Sequence, residues 1–228
     1  MKVKALFISD VHLGARGVKA QELLGVLGTY KMDYLFIVGD FIDGWLLKKR
    51  FYWTQEYTNV IRKILKLSKK GVKVIYVTGN HDEFLREFSP VDFGNIHICD
   101  EYVLDSTFIS HGDLYDGVVK LKWLGILGSV GYDMAISIDR TLKKMGMKKS
   151  LSKFLKEKVK DAVKFITNFE DQLVYQAKLR NCNRVICGHI HTPIFRVIKD
   201  VEYYNTGDWV ENTSYIVLHN DNTFELVK

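Results

Sequence analysis

The stretch Val72-Lys-Val-Ile-Tyr-Val-Thr78-Gly79-Asn80-His81-Asp82 decides the fold of this chain. Its first seven residues are mostly apolar and β-branched, which is typical of a buried strand. The next four supply a glycine, an amide, an imidazole and a carboxylate. Because open α/β sheets carry their functional side chains at the carboxyl ends of the strands, we expect Asn80 and His81 to lie at such an edge.

Four more apolar stretches end in the same kinds of side chain. The polar blocks that follow them are Asp10-Val-His12, Gly39-Asp40, His111-Gly-Asp113 and Gly188-His189-Ile-His191. Residues two apart on an extended segment face the same side, so two of these blocks each offer a pair of donors. The candidate metal ligands are Asp10, His12, Asp40, Asn80, His111, His189 and His191.

Mixed oxygen and nitrogen donors in this number indicate two metal ions. They exceed what one ion uses, and they suit two ions about 3.5–4 Å apart that share a carboxylate. The absence of thiolate donors argues against a structural zinc site. A single strand-end Asp or Asn is more often a turn former, so the hypothesis depends on the repetition at five strand ends. Asp82 and Asp113 are interpreted as residues that orient the ligands, with a plain capping role as the alternative.

Length and composition indicate an enzyme-sized protein with one large core, or one core and an appendage. The chain has 228 residues, of which 47% are hydrophobic. No apolar run reaches the ~20 residues of a membrane span. Three cysteines are too few for a disulfide framework, which favours a reducing compartment and a cytoplasmic protein. The stretch between Lys120 and Lys164 has twelve Lys and Arg against four Asp and Glu, so it is strongly basic, whereas the rest of the chain is slightly acidic and the net charge is +6.

The order of periodicities predicts a parallel sheet followed by a second sheet. Strands at 2–8, 34–38 and 72–78 alternate with helices at 19–27 and 54–68, which is a βαβαβ beginning. Short strands at 96–98, 102–104 and 107–110 are predicted to be antiparallel. Residues 114–180 have helical periodicity and are predicted to be an insertion beside the site. The five short strands from Arg184 to Val227 are expected to close a second sheet, which leaves residues 1–113 and 181–228 as the core.

The whole motif series resembles that of the calcineurin-like metallophosphoesterases, in the same order from residue 10 to residue 191. The resemblance implies an α/β fold, a four-layer α/β-β/α sandwich of two mixed sheets with a helical cap insertion. It also implies two divalent ions, most often Mn²⁺, with Fe, Zn, Mg or Ni as the other choices. In that family pattern the ligands of one ion are Asp10, His12, Asp40 and His191, and those of the other are Asp40, Asn80, His111 and His189.

Within that family the chain is similar to the branch of the UDP-2,3-diacylglucosamine pyrophosphohydrolases of lipid A synthesis. The further similarities are the helical insertion and the segment Tyr204-Asn-Thr-Gly-Asp-Trp-Val-Glu-Asn212. His81 stands where well-studied members of the branch carry arginine. The resemblance implies hydrolysis of the pyrophosphate of a UDP-linked acylated sugar, by attack of a hydroxide that bridges the two ions. His81, fixed by Asp82, would act in catalysis by donating a proton to the leaving oxygen.

The insertion is the candidate for substrate specificity. Its apolar stripe is bordered by Lys149 and Lys153, which predicts a slot for acyl chains or a peripheral contact with an anionic membrane. Asp116 is a further candidate substrate contact. The other interpretation is that the stripe only packs on the core.

Two other functions remain open on the sequence alone. In the first, the protein is a phosphodiesterase or nuclease whose basic stretch binds nucleic acid, although no RNA-binding motif is recognisable. In the second, the protein is a non-catalytic scaffold of the same fold, against which the complete ligand set argues. The sequence does not predict the oligomeric state.

Overall fold

The structure, a computed structural model, describes residues 1–116 and 169–228. Met1–Asp113 and Leu173–Lys228 form one compact unit, and Leu114–Gln172 form another. The predicted division into a core and a helical insertion at residues 114–180 stays a prediction, because most of that insertion lies outside the described residues.

Twelve strands lie in the described parts of the chain. Those of the first half are β1 (Lys2–Ile8), β2 (Lys31–Val38), β3 (Lys73–Val77), β4 (Val91–Phe93), β5 (Ile96–Cys99), β6 (Glu101–Leu104) and β7 (Thr107–Ser110). Those of the second half are β8 (Arg184–Cys187), β9 (Ile194–Ile198), β10 (Val201–Asn205), β11 (Tyr215–Leu218) and β12 (Phe224–Val227).

The described helices are α1 (Ala20–Thr29), α2 (Gly44–Lys49), α3 (Gln55–Lys69) and α4 (Phe169–Leu179), with 3₁₀ turns at Glu83–Phe88 and Asp113–Tyr115. Side chains cap two of these helices. Asp43 accepts a hydrogen bond from the Leu46 amide at the start of α2, and Thr54 accepts one from Tyr57 at the start of α3. None of the helices among the described residues is long and apolar enough to cross a membrane.

Both sheets are mixed, with parallel strands in the middle and antiparallel strands at the edges. The larger sheet has the order β12-β11-β1-β2-β3-β5-β4, in which β1, β2, β3 and β5 are parallel. The smaller has the order β6-β7-β8-β10-β9, in which β7, β8 and β10 are parallel. Parallel neighbours place their carboxyl ends at one edge of each sheet, and the polar loops described below start there.

Alternation along the strands divides the core into two layers. On β1, Leu6 and Ile8 join the cluster covered by α1 and α3, whereas Ala5 and Phe7 face the cluster between the sheets. Ile109 and Ile186 of the smaller sheet enter that second cluster. The buried residues of α4 are Phe169, Leu173, Val174 and Ala177. The predicted fold class of two mixed sheets with helices outside them is confirmed, and the predicted cap lies outside the described residues.

One sequence-based expectation of strand pairing was right only in part, and another was wrong. The strands at 96–98 and 107–110, expected to be antiparallel, are β5 and β7, and each has one antiparallel neighbour, β4 and β6 respectively, and one parallel neighbour, β3 and β8 respectively. The last two strands, expected in the second sheet, extend the first one, where Leu218 of β11 pairs with Ala5 of β1. Both errors concern partners distant in sequence, which the alternation of apolar residues along a single strand does not specify. Helix α2 and strand β4 were not predicted.

Candidate metal centre

All seven candidate ligands lie in loops that leave the carboxyl ends of parallel strands. Strands β1, β2 and β3 lead to Asp10, Asp40 and Asn80, and strands β7 and β8 lead to His111 and His189. Neighbouring loops are joined by main-chain bonds, since Asp10 N donates to Gly39 O at 3.1 Å and Gly188 N donates to His111 O at 3.1 Å. The two sheets therefore contribute to one site.

Five of these ligands have a left-handed backbone. The φ angles are 51° at Asp10, 54° at His12, 51° at Asp40, 72° at His189 and 53° at His191. This region is sparsely populated by residues other than glycine, and residues held in it cluster at functional sites. The main-chain bond from His12 N to Asp40 O, at 2.9 Å, is one of the contacts that hold the loops in this form.

Asp10, His12 and His191 form the first group of donors. Asp10 Oδ1 lies 3.1 Å from His191 Nε2 and 3.9 Å from His12 Nε2. The two Nε2 atoms are 3.3 Å apart. One ligand atom from each residue lies within 4.8 Å of the others, a separation that allows all three to bind one ion.

The second group surrounds His111 and contains two buried atoms with unused hydrogen-bonding capacity. His111 Nδ1 donates to Val38 O at 2.9 Å, and its Nε2 lies 3.2 Å from Asp40 Oδ2. Among the described residues, neither His111 Nε2 nor Asn80 Oδ1 has a hydrogen-bond partner, although both are buried. The ring of His189 lies 5.2 Å from that of His111. Buried acceptors of this kind are costly in a protein unless a ligand satisfies them.

Asp40 lies between the two groups. Its Oδ2 is 3.2 Å from His111 Nε2 and 4.0 Å from His12 Nε2. Its Oδ1 accepts a hydrogen bond from the amide of His81 at 2.8 Å, which places the loop that carries Asn80 against the same carboxylate. This is the position that a bridging ligand would need.

The carboxylates create a negative field at the centre. Burial alone lowers the pKa of His111, but the charges of Asp40 and Asp10 outweigh it and raise that pKa to about 10. Burial likewise raises the pKa of Asp40, and its contacts with His111 and His81 reverse that effect, so the pKa lies well below its ordinary value. A field that stabilises an imidazolium also favours a divalent cation.

The donor set fits two divalent cations. It consists of carboxylate, amide and imidazole groups, with two unsatisfied buried atoms on one side and a carboxylate between two clusters of nitrogen donors. Such ligands suit Mn²⁺, Fe²⁺ and Zn²⁺, and they do not select one metal among these.

His81 contacts a carboxylate that sequence reasoning missed. Its Nδ1 lies 3.1 Å from Asp43 Oδ1, and Asp43 Oδ2 lies 3.4 Å from His12 Nδ1. The indole of Trp45 packs against the His81 ring, with ring centroids 4.3 Å apart. Burial lowers the pKa of His81, but Asp43 and Asp40 together raise it above its ordinary value. The available signal was the position of Asp43, three residues after Asp40 and just before a glycine.

Asp82 was expected from the sequence to fix the His81 side chain, but its hydrogen bonds are with other groups. It accepts hydrogen bonds from Phe41 N at 2.9 Å, Tyr76 Oη at 2.6 Å and Gly79 N at 2.5 Å. Within the described part of the chain, the partner of the His81 imidazole is Asp43, so the expectation that Asp82 fixes His81 was wrong. Asp82 instead ties the loop after β3 to the loop after β2.

Of the three candidate substrate contacts, Asp116 lies among the described residues. Asp116 is half-buried directly after the 3₁₀ turn Asp113–Tyr115, and it belongs to the unit that begins at Leu114. Lys149 and Lys153 lie outside the described residues. All three assignments stay predictions.

The sequence matches the family model of the calcineurin-like phosphoesterases over residues 3–193. The chain belongs to this family. The matched range includes every strand-end block described above, and a calcineurin-like phosphoesterase with this centre is a metallophosphoesterase.

Curated relatives carry a narrower name. The UDP-2,3-diacylglucosamine hydrolase of Neisseria gonorrhoeae is 35% identical over 117 residues, which cover 47% of this chain and 47% of that protein. The protein of the same name from Shewanella piezotolerans is 24% identical, with 99% of this chain and 98% of that protein covered. At identities above 30%, this chain spans about half the length of the curated relatives it matches.

The solved structures that the chain matches are more distant in sequence. Vacuolar Protein Sorting 29 from Cryptosporidium parvum is 12% identical, with 98% of this chain and 94% of that chain covered and a TM-score of 0.48. The phosphoesterase Yfce from E. coli is 16% identical, with 98% of each chain covered and a TM-score of 0.47. Since both scores are low, the fold class rests on the strand order and layers of the chain itself.

Proposed function

We propose that this calcineurin-like phosphoesterase hydrolyses the pyrophosphate of a UDP-linked acylated sugar with the help of two divalent metal ions. The observation that supports this most is the meeting of donors from five strand ends around Asp40, where His111 Nε2 and Asn80 Oδ1 are buried without hydrogen bonds in the described structure. The missing hydrogen bonds of these two atoms are explained if both bind a cation.

In the proposed centre each ion has its own ligands and one in common. Asp10, His12 and His191 would hold one ion, and Asn80, His111 and His189 would hold the other, with Asp40 shared. When bound, the ions would supply a nucleophile from water near neutral pH and neutralise charge on the phosphoryl group. The negative field of Asp10 and Asp40 supports this occupancy.

His81 is proposed to protonate the leaving oxygen. Because its Nδ1 faces Asp43 at 3.1 Å, Nε2 is the nitrogen left to deliver a proton. The carboxylate of Asp43 stabilises the protonated ring, and Trp45 limits the orientations that the ring can adopt. A positioned acid of this kind contributes typically about 10²- to 10⁴-fold to the rate.

The UDP-linked lipid is proposed from the names of the curated relatives together with the sequence of the insertion. In this proposal the apolar stripe of residues 114–180 takes the acyl chains, Lys149 and Lys153 bind the diphosphate, and Asp116 contacts the sugar or the nucleotide. We propose with it a cytoplasmic location, in which the protein would act on a lipid substrate at the inner face of an anionic membrane.

The test is to incubate the Mn²⁺-loaded protein with UDP-2,3-diacylglucosamine and to measure UMP release. We expect release that is abolished by EDTA and by Asp40→Asn. His97→Ala is the matched control, because His97 pairs with Asp92 on the exposed side of β5 and should leave the rate unchanged.

Two other results would change the assignment. Hydrolysis of bis-p-nitrophenyl phosphate without any UMP release would replace the proposed substrate by a simple phosphodiester or nucleic acid. If the protein binds Mn²⁺ but hydrolyses neither substrate, the remaining interpretation is a non-catalytic scaffold.

A further inference from the structure

Arg86, in the 3₁₀ turn that follows Asp82, joins two of the loops that carry ligands. Its Nε donates to Thr78 Oγ1 at 3.1 Å and its Nη2 donates to Thr78 O at 3.3 Å. The same Nη2 lies 2.9 Å from each carboxylate oxygen of Asp113. One guanidinium therefore binds the loop after β3 and the loop after β7, which belong to different sheets.

The two residues that Arg86 binds are close in sequence to the two proposed metal ligands whose buried atoms make no hydrogen bond among the described residues. Thr78 precedes Asn80 by two residues, and Asp113 follows His111 by two. The Thr78 hydroxyl, which accepts the bond from Arg86 Nε, itself donates a hydrogen bond to Asp100 Oδ1 at 2.7 Å. A shift of either loop would change the distance between Asn80 Oδ1 and His111 Nε2.

The groups that Arg86 contacts are buried, so the loss of the guanidinium would be costly. The Asp113 side chain is 5% exposed and that of Arg86 is 21% exposed, whereas Thr78 is fully buried. If Arg86 were lost, a buried carboxylate would be left without its cation, which is strongly destabilising for the local structure. A guanidinium suits this place because its planar fork serves a carbonyl, a hydroxyl and a carboxylate at once.

We propose that Arg86 is a positioning residue for the second metal ion: by joining Thr78 to Asp113 it sets the spacing of Asn80 and His111. The inference rests on the proposed dinuclear centre and goes beyond it, because the polar contacts of Arg86 among the described residues are with Thr78, Asp113 and Asp100, none of which is a proposed metal ligand. Replacing a residue that orients metal ligands without binding the metal itself typically lowers the affinity for the metal by about 10- to 100-fold.

The experiment is a Mn²⁺ titration followed by calorimetry and electron paramagnetic resonance. The wild-type chain should bind two ions. Arg86→Gln should weaken the binding of one of them by about 10- to 100-fold and leave the other within about 2-fold. Turnover lost at low Mn²⁺ should return when Mn²⁺ is in excess, whereas the melting temperature of the metal-free variant should stay lowered.

Arg184→Gln is the matched control. Arg184 also pairs with a carboxylate, that of Glu202, and contacts a threonine hydroxyl, that of Thr107. It lies at the start of β8, at the opposite end of that strand from His189. Its loss should lower the melting temperature while both Mn²⁺ affinities stay unchanged.

Each contrary outcome has one meaning. Two wild-type Mn²⁺ affinities in Arg86→Gln, with or without a raised KM, would overturn the positioning role and leave the dinuclear centre intact. A wild-type chain that binds at most one ion would overturn the dinuclear centre itself. If Arg86→Gln does not fold, Arg86→Lys decides: it keeps the charge but not the fork, so wild-type affinities for both ions would overturn the proposal.

Discussion

At the scale of single residues, the site depends on side chains held by unusual backbone. Asp10, His12 and Asp40 are not glycines, yet each has φ between 51° and 54°. Such a conformation persists only where the surroundings determine it. Here main-chain bonds between the loops after β1 and β2 supply that constraint.

The pairing of His81 with Asp43 leads to the first prediction. His81→Ala should lower kcat by about 10²- to 10⁴-fold through loss of the acid. Asp43→Asn should lower kcat in the same direction by a smaller factor, because asparagine still accepts the helix-capping bond from Leu46 but no longer stabilises the imidazolium. The measurement is steady-state hydrolysis of bis-p-nitrophenyl phosphate at saturating Mn²⁺.

The double variant separates the two contacts of Asp43. If Asp43 acts through His81, Asp43→Asn should have little further effect on kcat in the His81→Ala background. A full additional loss there would show that Asp43 acts through His12 instead. Mn²⁺ binding measured on all three variants serves as the control for intact metal ligands.

At the scale of elements, three glycines make room for ligands at the ends of strands. A Cβ at Gly39 would overlap the ring of His111, and one at Gly188 would overlap the Asp10 carboxylate and Ser9. A Cβ at Gly79 would overlap both the side chain and the main-chain nitrogen of Asp40. The lack of a side chain at these three positions therefore allows the loops that carry the proposed ligands to approach one another closely.

Gly79→Ala is the prediction at this scale. Since the overlap includes backbone, which cannot move aside like a flexible side chain, we expect a loss of about 1–3 kcal/mol or more in the free energy of unfolding. We also expect weaker Mn²⁺ binding, because Asp40 must shift. Chemical denaturation and a Mn²⁺ titration measure the two effects.

Gly25→Ala provides the control for this variant. Gly25 is an exposed residue of α1, and nothing lies within 4 Å of a Cβ placed there. Alanine should stabilise that helix by up to about 1 kcal/mol and leave Mn²⁺ binding unchanged. Equal effects of the two substitutions would contradict the role given to Gly79.

At the scale of the whole molecule, the centre exists only because two sheets pack face to face. Asp40 comes from the larger sheet and His111 from the smaller, and their side chains meet at 3.2 Å. The apolar cluster between the sheets fixes that distance, with Phe7 and Phe36 stacked at 4.6 Å on one side and Ile109 and Ile186 on the other.

Metal binding should therefore stabilise the whole fold. With Mn²⁺ at 100 times its dissociation constant, each site adds about 2.7 kcal/mol to the free energy of unfolding. For a chain of this size, a gain of that order raises Tm by roughly 5–10 °C. Differential scanning calorimetry with Mn²⁺ and then with excess EDTA measures the rise and its reversal.

Asp40→Asn tests whether the stabilisation comes from this centre. Asparagine is close to isosteric with aspartate but lacks the negative charge that both ions would share. The rise in Tm should be largely lost in this variant. An equal rise in both proteins would mean that Mn²⁺ binds elsewhere.

The sequence by itself determined the three parallel strands of the βαβαβ beginning and the identity of the polar side chains at five strand ends. Strands β1, β7, β8 and β9 have the predicted bounds, because each is an apolar run bounded by polar residues. The motif spacing was enough to single out the residues that meet around Asp40, since strand ends of a parallel sheet share an edge.

Only the tertiary structure shows which groups the carboxylates of Asp43 and Asp82 contact. Asp43 and Asp82 are both short acidic side chains near a strand end, and nothing in their local sequence shows that Asp43 contacts His81 while Asp82 binds amides. The same holds for β11, which pairs with β1 from more than two hundred residues away. Such contacts depend on the packing of both sheets, and local periodicity carries no information about distant partners.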